Sequence, residues 1–156
     1  MNVFSTFQST NKLVLLLILL LTTQFMACSD DSDGGSSADG GTMTATINGE
    51  SWEAVEVVAT FEGGVIGLAG TDLVAGNTRQ INISGLITGE GSFPIAPISG
   101  LVGTYTQASS PSDVNPNIGT NGQLVITRLD DGGAAGTFQF SGQGFQVQSG
   151  SFEVAF

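Results

Sequence analysis

Carboxylates are nearly the whole supply of reactive side chains in this sequence, with 14 acidic residues against three basic ones. There is no histidine, so no imidazole base, no Ser-His-Asp or Cys-His pair and no imidazole metal site can be assembled. A single cysteine, Cys28, excludes an internal disulfide and a thiolate cage for zinc or an iron–sulfur cluster. What remains is paired-carboxylate chemistry, in which two acids roughly 5–9.5 Å apart hydrolyse a glycosidic bond. Glu53, Glu56 and Glu62 lie on or beside one expected strand, and Asp130 and Asp131 occupy an expected turn. Glu56 and Glu62 fall on its polar face, where solvation is the expected role, because a tuned acid needs partial burial and a partner. Trp52 and Tyr105 are the only Trp and Tyr, which makes them the candidate ligand contacts. Exposed, they could stack on a sugar or peptide; the commoner role of such a Trp is a core plug. Nothing in the sequence calls for a cofactor.

The lone cysteine has a different chemistry in view. Residues 1–27 read as a secretory signal helix: one cation, Lys12, precedes a nine-residue apolar run from Leu13 to Leu21. That run suits a signal core and is far shorter than the roughly 20 residues that span a bilayer. Phe25-Met26-Ala27-Cys28 resembles the bacterial lipobox, in which a small residue admits the signal peptidase and the thiol accepts a diacylglyceryl group. Phe25 and Met26 replace the usual aliphatic pattern. Each buried CH₂ adds about 0.8 kcal/mol, so two or three acyl chains on Cys28 would anchor the chain permanently. Ser29, Asp30 and Asp31 open an acidic stretch that resembles the export signal of Bacteroidetes lipoproteins sent to the outer face of the outer membrane. The expected partners are therefore the bilayer, the signal peptidase and the lipoprotein export machinery, and the expected location is the cell exterior.

Residues 29–41 contain only Ser, Asp, Gly and one Ala, and with Cys28 they read as a disordered linker. A calcium loop at Asp31 to Gly34 lacks the third ligand position and the distal Glu. The formal net charge is −11. Cleavage before Cys28 removes Lys12 and leaves two arginines against 14 carboxylates, a formal −12. Such a field repels phosphate backbones and argues against nucleic acid as a partner.

From residue 42 to 156 the pattern changes to short alternating runs split by Gly, Asn and Asp, as in antiparallel strands. Asn48-Gly49 predicts a tight hairpin after residues 42–47. Residues 51–62 predict a return strand with Val55, Val57, Ala59 and Phe61 on one face and a bulge near Ala54-Val55. Further strands are expected at 65–70, 79–88, around Phe93-Pro94, 101–106, 122–129, 134–141 and 144–156. Turns are expected at Gly63-Gly64 and at Asp130 to Gly133, a polar rim loop over 107–117, and a kink at Ser149-Gly150. About eight or nine strands in one domain predict an antiparallel β-sandwich or partly closed barrel, with phenylalanines in its core.

The body resembles a family of Bacteroidetes lipoproteins of unassigned function. The resemblance rests on the opening MTATINGESW at 43–52, Gly103-Thr104-Tyr105, and a closing set of GQLVITRLD, GTFQF and GSFEV at 122–130, 136–140 and 150–154. These are strand and turn signatures, so they imply a shared fold and carry no catalytic residue. The sequence thus points to an anchored binding or structural module, with a glycan, a small apolar molecule or a protein as partner. The alternative is a carboxylate-dependent enzyme acting on glycans. An exposed Trp52–Tyr105 pair or an apolar cavity would favour binding, and a filled core a structural role.

Overall fold

The computed structural model describes residues 37–110 and 115–156, so the signal segment, Cys28, its neighbours Phe25, Met26 and Ala27, and Ser29, Asp30 and Asp31 lie outside the described residues. The body is built of strands: β1 (Ser37–Asp39), β2 (Gly41–Ile47), β3 (Glu50–Glu53), β4 (Glu56–Glu62), β5 (Val65–Val74), β6 (Asn77–Leu86), β7 (Gly91–Ile95), β8 (Leu101–Ala108), β9 (Asn117–Asp130), β10 (Gly133–Gly142) and β11 (Phe145–Ala155). The described residues contain no helix.

Every pairing is antiparallel, in the order β1-β4-β5-β6-β8-β9-β10-β11-β2-β3, with β7 added on β9. Two strands bend this sheet round on itself. The first residues of the long β9 pair with β8, at Thr104↔Ile118 and Tyr105↔Asn117, and the rest of β9 pairs with β10 and β7. At the other corner β3 runs through Ala54 and Val55 into β4. There Ala54 N–H donates to Met43 C=O on β2, and Val55 N–H donates to Thr71 C=O on β5. Successive amides thus serve opposite ends of the strand order. The result is a partly closed barrel.

The nine expected strands are all present, and two features raise the number of segments to eleven. The strand expected over 51–62 breaks at the Ala54-Val55 corner into β3 and β4. The linker expected over 28–41 loses its end to the fold: Ser37↔Thr60 and Asp39↔Val58 pair on the outer edge of β4, and Gly41 begins β2. A polar chain can still add a strand, because the ladder uses backbone groups alone. Val55 also departs from expectation. It is 69% exposed, because the corner restarts the inward alternation at Val57 and Ala59.

Asn48 and Gly49, and likewise Gly63 and Gly64, all have positive φ, as a type I′ turn requires. The Ser149-Gly150 kink is a bulge: Ser149 takes φ 50°, and the ladders to β2 and β10 shift register around it. Gly150 belongs there because a Cβ would stand 2.5 Å from the Phe138 ring.

The barrel interior is occupied by side chains. Trp52, Met43, Ile66, Ile81, Leu124 and Val147 are each at most 2% exposed. Toward β10 and β11 the filling is aromatic: Phe140 meets Phe145 edge-on at 5.9 Å, and Phe138 packs between Phe140 and Phe152 at 6.4 and 6.5 Å. Each such side chain contributes roughly 1.5–3 kcal/mol by burial. Phe156 is half-buried and closes the rim by stacking on Phe61 at 5.9 Å.

Candidate functional site

Along β5 the inward positions are Ile66, Leu68, Gly70 and then Asp72; along β6 they are Ile83, Ile81 and then Arg79. The hairpin register sets Asp72 opposite Arg79. The apolar rows therefore end, at one rim of the barrel, in a buried ion pair. Arg79 Nε–H donates to Asp72 Oδ2 at 3.1 Å, and Arg79 Nη2 bonds the same oxygen. Arg79 Nη2 also donates to the carbonyl of Ser51 at 3.4 Å, and Nη1 lies 3.7 Å from the exposed Glu50. A buried guanidinium needs this many acceptors, because desolvation otherwise outweighs the Coulombic gain.

Trp52 packs beneath this pair and directs Nε1–H at the Arg79 carbonyl, 3.5 Å away. Tyr105 on β8 lies across from Ile81, donates its hydroxyl hydrogen to Gln107 Oε1 at 3.0 Å and sets its ring 5.7 Å from Phe145. Burial pushes the Tyr105 phenol above its ordinary 10.0; the Arg79 charge opposes this, and Glu50 and Asp72 add to it. Over these groups opens a cleft of about 310 Å³, bounded by the Asn48 turn, Val74, Ala75, Asn77 and Gln107. Its chemistry is that of amides and a phenol around a cation already held by two carboxylates.

The two aromatic candidates are thus brought to one rim, but as buried groups: Trp52 is 2% and Tyr105 6% exposed. Neither is an exposed stacking platform. Trp52 is the core plug. Gly70 makes room for it, since a Cβ there would stand 2.6 Å from Trp52 Cη2. The carboxylates named from the sequence are spread out. Glu53, Glu56 and Glu62 are exposed, while Asp130 accepts from Gly132 N–H at 2.8 Å and lies 3.7 Å from Arg128.

The sequence reading missed Asp72 and Arg79 as a pair. Arg79 already stood in phase with Ile81 and Ile83 in the strand expected over 79–88, but pairing it with Asp72 required the strand expected over 65–70 to continue past Gly70. It also missed a second hollow of about 370 Å³ lined by Asn121, Gln123, Gln139, Gln146 and Gln148 over Phe140. Those amides come from three strands. Among the described residues no three acidic, Cys or His side chains gather as a metal would require.

Fold and site together define an all-β, antiparallel, partly closed barrel with a filled interior and polar hollows at its surface. Residues 40–155 match a family model described as Domain of unknown function (DUF6252), and the chain belongs to that family. No curated protein and no solved structure was found to match the chain.

Proposed function

We propose that the chain is a bacterial outer-membrane lipoprotein, of the Bacteroidetes kind, and that its β barrel is a structural module displayed at the cell exterior. The anchor rests on the sequence: the signal-like segment, Phe25-Met26-Ala27-Cys28, and the acidic Ser29-Asp30-Asp31 after it. Signal peptidase and the export machinery are its partners in biogenesis, and the bilayer its lasting one. For the body, the observation that carries the reading is the occupied interior. Trp52 and Tyr105 are built into the wall and core, so the barrel supports a role exerted through its surface.

One observation favours a second reading, in which the module binds a neutral glycan. The hollow of Asn121, Gln123, Gln139, Gln146 and Gln148 offers amide donors and acceptors to hydroxyl groups without a formal charge. Carboxylate-dependent action on glycans draws less support, since Glu53, Glu56 and Glu62 are exposed and Asp72 is bound to Arg79.

The anchor is tested by intact-mass measurement of the protein from its native membrane, with membrane fractionation and protease shaving of whole cells. The expected product begins at acylated Cys28, stays with the membrane and is shaved from outside. An unacylated chain that buffer removes would overturn the reading. Titration with neutral oligosaccharides separates the two roles of the body: saturable binding lost in Gln139→Ala would replace the structural reading with the second.

A further inference from the structure

Large exposed apolar side chains occur at both ends of the β5–β6 hairpin. Near the Ala75-Gly76 turn stand Leu73 and Val74, with Val55 beside Thr71. At the opposite end Val65 and Leu86 face each other across the ladder, 46% and 63% exposed. Leu86 N–H donates to Gly100 C=O, which ties to this end the β7–β8 loop that carries Ile98, 98% exposed.

The tether distinguishes the two ends. Strand β1 runs antiparallel to β4, with Ser37 at Thr60 and Asp39 at Val58. The chain therefore enters the sheet from the end where β4 turns at Gly63-Gly64 into Val65. Only nine residue steps separate Ser37 from Cys28, and a flexible chain of that length spans about 15–18 Å r.m.s.. Strand β5 has ten residues, and at ~3.3 Å each its far end lies about 30 Å beyond its near end. A chain of that length anchored at Cys28 would bring the near end closer to the bilayer than the far end.

We propose that Val65, Leu86 and Ile98 rest in the headgroup layer of the bilayer that holds the acyl chains of Cys28, so that the barrel is docked end-on and does not swing freely on its tether. This rests on the anchor reading above. The occupant is the protein's own membrane, because the tether enters at the end that carries Val65, Leu86 and Ile98. Glu62 pairs with Val65 on the neighbouring strand, and the mature chain is strongly acidic, so the contact rests on the apolar side chains and draws nothing from charge attraction. Acyl chains would supply the affinity, and the three side chains the orientation.

The test uses the full acylated chain in phosphatidylcholine–phosphatidylethanolamine vesicles. An acylated Cys28 takes no thiol reagent, so the variants Leu86→Cys, Ile98→Cys and Leu73→Cys each offer one site for an environment-sensitive fluorophore. All three positions are exposed, and circular dichroism checks that each variant keeps its strands. The expected result is several-fold stronger quenching by lipid-borne nitroxide than by aqueous iodide at positions 86 and 98, and the reverse at 73. If the chain floats with the vesicles while all three probes answer to iodide alone, end-on docking is overturned and the anchor stands. If the parent chain does not float and its Cys28 takes the dye, the anchor is overturned and the docking with it.

Discussion

Arg79 and Asp72 face each other across the β5–β6 ladder as an ion pair buried at the rim of the barrel, and one guanidinium ties three strands together. Its nitrogens reach Asp72 on β5, the Ser51 carbonyl on β3 and, more loosely, Glu50. The corner where β3 leaves β2 to become β4 is thereby fastened to the hairpin beside it.

Removing one partner of this pair strands the other. Arg79→Ala is expected to cost about 3–5 kcal/mol, because Asp72 remains buried without a counter-charge. Replacing both, as Arg79→Met with Asp72→Leu, is expected to restore most of that stability. Urea unfolding of the three chains measures both effects. A single variant no less stable than the parent would show that the pair is solvated.

Gly70 and Trp52 are fitted to each other. A Cβ on Gly70 would lie 2.6 Å from Trp52 Cη2 and 2.8 Å from Met43 Sδ. Gly70→Ala is expected to cost about 1–3 kcal/mol through overpacking. In a Trp52→Phe background the same change should cost distinctly less. A double-mutant cycle reads the coupling, and additive costs would mean that the two residues do not share this space.

Ala75 holds a left-handed φ of 49° at the first position of the β5–β6 turn. The Cβ clash there costs roughly 1–2 kcal/mol, so Ala75→Gly is expected to raise stability by up to about 1 kcal/mol after its unfolded-state entropy is counted. A thermal midpoint below that of the parent would contradict this.

Tyr105 links stability to alkaline pH. Its folded phenol holds its proton more tightly than a free phenol of pKa 10.0, chiefly through burial. Below pH 10.0 both states are protonated and the contribution is complete. As pH rises from there through the folded-state pKa, the unfolded chain ionises first and stability falls. Tyr105→Phe should remove this slope and leave the acid side unchanged. Tyrosinate absorbance during unfolding at several alkaline pH values follows it, and an equal slope in the variant would point to another group.

Strands and the places where they turn follow from local pattern, because alternation and positive-φ residues act over a few positions. Asn48-Gly49, Gly63-Gly64 and Ser149-Gly150 announced their geometry without help from the rest of the chain. The hairpin at Ala75-Gly76 went unseen, since alanine carries no such preference and accepts the turn only because the ladder on both sides requires it. Without that turn β5 read short, so Asp72 fell outside it and Arg79, first residue of the strand expected over 79–88, had no partner opposite. Tertiary structure alone decided which faces point inward around the Ala54-Val55 corner, where two amides bond to strands far apart in the order. It also decided the fate of Trp52, which composition left open between plug and platform. Burial is a property of what packs on the other side, and for Trp52 that is the bare backbone of Gly70 on a strand 18 residues further along the chain.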